Sequence, residues 1–230
     1  MSQISLATKF TKFVSGDIFL DLGAGSGNSF QIAKTMLSEP ELASVESSTS
    51  ANKYYSEKFN VKTFSEINEF IKQGNLAKII LLSHSLEHFR FDEISSLLTQ
   101  VASALAEEGV CVIEVPAANL IKDRDLLPND SPHLLFFSIE SLKLLLEKMN
   151  FQILFAQVMG NQIEESTALD QNIKQRLIHL ITKVGSKIIR SLDSSMLTID
   201  VSPKGPLYCN FTQNDSGSLI RVAVSAKKQH

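Results

Sequence analysis

The sequence predicts an α/β protein built on a doubly wound, mainly parallel sheet. Three observations carry that prediction. Five short apolar runs alternate with segments of helical periodicity. The first of them, Ile18-Phe19-Leu20-Asp21-Leu22, passes directly into a glycine-rich turn and then a helical pattern. Residues 79–82 are apolar throughout, as suits a strand covered on both sheet faces.

Taken in order, residues 5–13 read as a short leading helix, with Leu6, Phe10 and Phe13 spaced for one face. Strand one spans 18–22. A helix over 28–37 carries Phe30, Ile32, Ala33, Met36 and Leu37 inward, and Pro40 marks its exit. Residues 43–46 make a short second strand ending in Glu46, 50–59 a helix, 60–64 a third strand and 65–71 a helical turn or two. Strand four covers 79–82, with Leu76 and Ala77 as candidates to extend it past Lys78. The stripe Ile94, Leu97, Leu98, Val101, Ala102 and Leu105 marks a helix over 91–106 packed on the sheet. Glu107-Glu108-Gly109 is a turn, 110–115 the fifth strand, and Pro116 its end.

After a long loop, Ser138 caps a helix over 139–149. Ser141 stands where a full capping box has Glu or Gln, so a cap without the box is expected. Strand six is 151–158 and the last strand 219–224. Between them, 164–193 has a long helical pattern, and 194–217 is polar, with Pro203, Gly205 and Pro206 as breakers. Residues 162–217 are therefore expected as a helical and irregular insertion between strands six and seven of a single domain, 1–230.

Length and composition agree with one soluble domain: 230 residues, 43% hydrophobic and 20% charged. A net charge of -3 provides no concentrated positive field for nucleic acid. Cys111 and Cys209 lie far apart without metal-ligand spacing, and Cys111, within an apolar strand, is expected to be a buried thiol. No secretory leader and no 18-residue apolar run is present, so no transmembrane segment is expected and the cytoplasm is the expected location. The stretch from Lys174 to Arg190 carries Lys174, Arg176, Lys183, Lys187 and Arg190 with no acid among them. Its plain reading is the solvated face of a lid or homodimer helix. Recognition of an anionic acceptor and peripheral membrane contact are the alternatives.

The turn separates two kinds of cofactor site. A dinucleotide-binding turn wants G-x-G-x-x-G. Here the sixth position from Gly23 is Asn28, and from Gly25 it is Phe30. This spacing opposes a nicotinamide oxidoreductase. The pattern is D-x-G-x-G-x-G, from Asp21 through Gly23, Gly25 and Gly27. It resembles motif I of the class I S-adenosylmethionine-dependent methyltransferases. An acid about 20 residues beyond such a turn can accept hydrogen bonds from a ribose. Glu46 stands there, its plain alternative being a surface-loop acid.

The resemblance implies a Rossmann-like seven-stranded mixed sheet of order 3-2-1-4-5-7-6, S-adenosyl-L-methionine as cofactor, and methyl transfer as the reaction. It implies a cofactor site drawn from Asp21, Gly23, Ala24, Gly25 and Gly27 at the turn and from Glu46 and Ser47 after the second strand. Phe64 and Ser65, after the third strand, would lie beside the adenine, and Ser83 would come from the end of the fourth. Glu66 is a nearby acid whose alignment is open.

Further segments resemble one broad branch of that family: His84-Ser85-Leu86-Glu87-His88, Val112-Ile113-Glu114-Val115-Pro116, Pro132-His133-Leu134-Leu135-Phe136-Phe137-Ser138 and Gly217-Ser218-Leu219-Ile220-Arg221-Val222. Within the branch they are most similar to methyltransferases acting on nucleotide-linked sugars. The resemblance implies a small-molecule acceptor, sugar-linked in that reading. The chain departs from the sugar C-methyltransferases at Asp130 and Ser131, where those carry Tyr and His, and it lacks their cysteine-rich zinc module. Sugar O-methylation or another small hydroxylated acceptor stays open. His133 is the first candidate general base and His84 the second, because histidine titrates near working pH. His84 and His88 would share a helix face, but zinc needs a third ligand and Ser85 replaces the Glu of H-E-x-x-H, so no metal site is expected. The remaining functional alternative is a catalytically inactive cofactor-binding or regulatory protein of the same fold.

Overall fold

The computed structural model describes residues 2–117, 134–162 and 217–227. The insertion expected over 162–217, the basic stretch from Lys174 to Arg190, Cys209 and His133 lie outside these residues, apart from the paired ends Gln162 and Gly217.

Seven strands form one sheet in the order β3-β2-β1-β4-β5-β7-β6. They are β1 (Ile18–Leu22), β2 (Glu41–Val45), β3 (Lys62–Phe64), β4 (Ala77–Ser83), β5 (Leu105–Pro116), β6 (Phe151–Gln162) and β7 (Gly217–Ala226). The first five are parallel, and β7 runs antiparallel to both β5 and β6. The order is the expected one. The chain steps outward from β1 to β3 and then returns to β4. The carboxyl ends of β1 and β4 therefore flank the point where winding reverses, which is where open α/β sheets bind ligands.

Strand alternation explains why both faces are apolar. Leu20, Ile80, Leu82 and Ile113 point to a core shared with α4 (Ile67–Lys72), α5 (Phe91–Ala104) and α6 (Ile139–Lys148). Phe19, Ile79, Leu81 and Val112 point to a second core under α1 (Gln3–Ala7), α2 (Asn28–Met36) and α3 (Thr49–Phe59). Phe30 is the centre of that second core. Its ring meets Phe19 edge-on at 6.4 Å, Tyr55 at 5.4 Å and Phe59 at 5.9 Å. Cys111 is a buried free thiol.

Three local expectations change. The leading helix is shorter and earlier than residues 5–13, because the Ser2 hydroxyl caps it by accepting from the Ser5 amide, and Thr8 ends it. Beyond it Phe10 is 38% exposed. The Glu107–Gly109 turn is a bulge within β5: pairing with β4 jumps from Ala77↔Leu105 to Ile79↔Val110, and Glu108 takes φ 56°. A Cβ on Gly109 would lie 2.8 Å from the Ala106 carbonyl oxygen and 3.0 Å from that of Ala77. At α6 the capping box is complete after all. Ser138 Oγ accepts from the Ser141 amide at 3.1 Å, and Ser141 Oγ accepts from the Ser138 amide at 3.0 Å. A serine hydroxyl can thus take the place of the longer Glu or Gln at the third helical position.

Among the described residues, no helix is long and apolar enough to cross a membrane. The packing ranks the phenylalanines sharply. Phe30→Ala is expected to lower unfolding free energy by roughly 3–5 kcal/mol in urea titration. Phe91→Ala, at a residue 79% exposed, should stay within about 0.5 kcal/mol.

Candidate active site

β1 ends in Asp21 and Leu22, and the turn that follows bends through three positive-φ glycines, Gly23 (80°), Gly25 (54°) and Gly27 (74°). Each is glycine for its own reason. A Cβ on Gly23 would meet Ser85 Oγ at 2.8 Å. That same hydroxyl donates to the Leu22 carbonyl at 2.7 Å, stitching the ends of β1 and β4 together. A Cβ on Gly27 would strike the Phe59 ring at 2.9 Å and the Tyr55 ring at 3.2 Å. Gly25 has open space beside it, so its conformation is the constraint there.

Two cavities open beside this turn. One, of about 340 Å³, is lined by Gln3, Asp21, Gly23 to Ser26, Asn28, Ser29, Ser83, His84, Glu114 and Arg221. The other, of about 530 Å³, is lined by Glu46, Ser47, Ser65, Glu66, Ile67, Ser85, His88, Phe89 and Leu97. Gly23, Gly25 and His84 line both, so the two form one cleft under the turn.

In the first cavity Asp21 is 2% exposed, and its Oδ1 has no hydrogen-bond partner. Burial pushes its carboxyl up to about 6, with Glu46 adding to the rise and Ser29 opposing it. A buried, unpaired carboxylate oxygen facing a cavity is an acceptor prepared for a donor or cation.

Beside Asp21 lies a network drawn from four elements. Glu114 on β5 and Arg221 on β7 are direct cross-strand partners, both buried, and the guanidinium donates to Glu114 Oε2. Glu114 Oε1 accepts from Gln3 Nε2 of α1 at 3.0 Å, and Gln3 also donates to Ser83 Oγ at 2.7 Å. His84 follows β4 with φ 53°, its amide held by the Glu114 carbonyl at 2.9 Å. Its Nε2 lies 3.5 Å from Glu114 Oε1, and its Nδ1 lies 3.4 Å from Glu87 Oε1. Glu114 and then Glu87 hold the imidazole up at about 9, against the opposing effect of burial. Burial would raise Glu114, but His84 and Arg221 outweigh it and keep its carboxyl below the ordinary range.

The structure brings most of the sequence-predicted residues together. Asp21, Gly23, Ala24, Gly25, Ser83 and His84 line the first cavity, and Glu46, Ser47 and Ser65 the second. Glu46 sits one residue past β2, its amide bound to the Phe64 carbonyl at 3.0 Å. Two residues are placed elsewhere. The Phe64 ring turns into the core and packs edge-on against Phe70 at 5.4 Å, and Gly27 is buried against Tyr55 and Phe59. His84 and His88 do not share one α-helix face, because His88 closes a separate 3-10 turn, Leu86–His88. Among the described residues, no group of three or more His, Cys, Asp or Glu is arranged to hold a metal ion. Sequence reading gave no role to Gln3, Glu87, Glu114 or Arg221. A signal was available in Glu114, the one charge in the apolar run 110–115, and in Arg221, the one charge in β7.

A family model described as Methyltransferase domain matches residues 5–155. The chain belongs to that family, and it is an S-adenosylmethionine-dependent methyltransferase with the class I fold. Comparison with curated proteins found no match. Among solved structures, the chain is similar to an S-adenosylmethionine-dependent methyltransferase from Archaeoglobus fulgidus. That likeness has 18% identity and TM-score 0.58, and it covers 96% of this chain and 91% of that one. It is similar to phosphoethanolamine N-methyltransferase 2 from Haemonchus contortus, at 12% identity and TM-score 0.56, over 98% of this chain and 52% of that one. It is also similar to the cyclopropane synthase MmaA2 from Mycobacterium tuberculosis, at 16% identity and TM-score 0.54, over 67% of this chain and 61% of that one.

The His84 arrangement has a pH signature. A raised imidazole pKa contributes stability that is fully present below the unfolded value of 6.5 and is lost as pH rises through about 9. His84→Gln is therefore expected to flatten the fall in melting temperature between pH 7 and 10. Parallel wild-type and variant curves over that window would contradict the double carboxylate contact.

Proposed function

We propose that this methyltransferase acts on a small hydroxylated molecule, a sugar or nucleotide sugar in its most specific form, with S-adenosylmethionine lying along the cleft. The observation that carries the reading is the continuity of the two cavities under Gly23 and Gly25. Glu46 accepts from the ribose hydroxyls, with Ser47 beside it. Ser65 and Glu66 border the adenine end. Phe64 contributes through its carbonyl, which positions Glu46. Gly23, Ala24 and Gly25 give the backbone a close approach to the amino-acid tail. Asp21 faces the cationic groups of that tail, and its orphaned Oδ1 and the polar cavity around it fit a charged, donor-rich ligand. Gly27 keeps the turn seated on α3.

When bound, the cofactor supplies an electrophilic methyl on a sulfonium. The protein must position the acceptor in line, exclude water and take the acceptor's proton where there is one to lose. His84, with both ring nitrogens facing carboxylates, serves as a fixed cation rather than as the base. With formal charges on Glu87, Glu114, His84 and Arg221 cancelling, an ionised Asp21 is the uncompensated charge of the first cavity, and Glu46 and Glu66 add two more in the second, which suits a cationic ligand.

The proton acceptor is His133. Support comes from its neighbour: the Leu134 and Leu135 amides donate to the Glu87 carbonyl at 2.8 and 3.1 Å, three residues from His84 and beside the cleft. The match of the Glu-Val-Pro and His-Leu-x-x-Phe-Ser runs to sugar-modifying methyltransferases supports the acceptor class.

Incubation with labelled S-adenosylmethionine against a panel of sugars, nucleotide sugars, small acids and amines is expected to label a hydroxyl-bearing compound. Label only on amines, or on no small molecule, would defeat the proposal. His133→Ala should then lose most turnover on the identified acceptor while cofactor affinity holds. Glu46→Ala is expected to weaken cofactor binding by roughly 1.5–3 kcal/mol through lost charge-assisted hydrogen bonds, as read by calorimetry.

A further inference from the structure

Helix α3 reaches two backbone carbonyls that border the cleft. At one end, Asn52 Nδ2 donates to the Glu46 backbone carbonyl at 2.7 Å. Just ahead of the helix the Ser48 amide donates to Glu46 Oε1 at 3.1 Å, and the Ser48 hydroxyl caps α3 by accepting from Ala51. One turn further on, the Tyr55 hydroxyl donates to the Gly25 carbonyl at 2.6 Å. Asn52 and Tyr55 are three residues apart and so share a helix face. The Tyr55 ring is fully buried against Phe30 and, with Phe59, fills the space beside Gly27. Burial pushes its phenol up to about 12, with Glu46 and Asp21 adding to the rise, so it stays a donor across the working range.

We propose that α3 is a strut that sets the separation between the glycine turn and the ribose acid, with Asn52 and Tyr55, three residues apart on one helix face, as the positioning residues. A ligand that spans both halves of the cleft gains from having them held at one spacing, because the cost of ordering them is met in advance. A ligand that reaches only the Glu46 side gains less from the Tyr55 end, since it meets Gly25 only at the border of the two cavities. This inference rests on the placement of S-adenosylmethionine along the cleft and assigns a task to residues outside both cavity linings.

The test compares two ligands by calorimetry: S-adenosylmethionine, and methylthioadenosine, which lacks the amino-acid tail. Tyr55→Phe keeps the ring and removes only the hydroxyl. It is expected to weaken S-adenosylmethionine by about 10-fold, the size of one lost hydrogen bond, and to change methylthioadenosine by less than about 2-fold. Asn52→Ala, at a partly exposed position, should weaken both ligands. In the double variant the losses for S-adenosylmethionine should be smaller than additive, since a strut freed at one end has little left to hold. Melting temperatures of the ligand-free variants should show additive changes. Equal losses for both ligands in Tyr55→Phe, no loss for either, or full additivity in binding would overturn the strut while leaving the cofactor placement intact. A wild-type protein that binds neither ligand would overturn the placement and the strut together, before any variant is made.

Discussion

The arrangement depends on one buried ion pair, Glu114 with Arg221. Two charges taken out of water are expensive, and they are tolerated only when each finds the other in good geometry and the remaining polar atoms are satisfied. Here the two are register partners on adjacent antiparallel strands, so a slip of one residue between β5 and β7 would strand both. The pair therefore specifies how β7 enters the sheet. It also leaves Glu114 Oε1 free to accept from Gln3 and to face His84, which brings α1 and the end of β4 to the same spot. A structural pairing thus becomes part of the wall of the cleft.

The other half of the cleft is backbone rather than charge. Three positive-φ glycines turn the chain, and they are kept in place from two sides, by Ser85 against Gly23 and aromatic rings against Gly27, with open space beside Gly25. The acid on the far side, Glu46, is held by the neighbouring strand β3 through the Phe64 carbonyl and by the helix it precedes through Asn52. The hydroxyl of Ser85, bonded to the Leu22 carbonyl, joins the ends of β1 and β4, and the His84 amide, held by the Glu114 carbonyl, ties β4 to β5.

Much of this was legible in the residues. Short continuous apolar runs and the D-x-G-x-G-x-G turn bring out the sheet, its order through the family resemblance, and the positions of Asp21, Gly25 and Glu46, because these follow from local pattern. Helix ends were less legible, since Ser2 and Ser141 act through hydroxyl geometry that a residue letter does not display. Phe64 was misplaced for a different reason. A strand's last side chain points to one face or the other, and a register that puts Glu46 on the cleft sends the Phe64 ring to Phe70. His84 looked like a base because an isolated imidazole titrates near neutrality. Its partners are contributed by residues three and thirty positions away, and no spacing rule connects His84 with Glu114. Gln3 lay beyond reach for the same reason: its bond to Glu114 joins residues 111 positions apart.

The antiparallel placement of β7 has a bearing on how this scaffold diversifies. Gln162 and Gly217 face each other across the β6–β7 ladder, and Ala117 pairs with Ser218 at the same edge. The long stretch between β6 and β7 thus departs and rejoins through clasped stems, beside the carboxyl end of β5. Closing such a loop costs little more as it lengthens, since the entropy grows only with the logarithm of its size. Whole segments could be exchanged there over evolutionary time while the half of the domain around the glycine turn stays untouched.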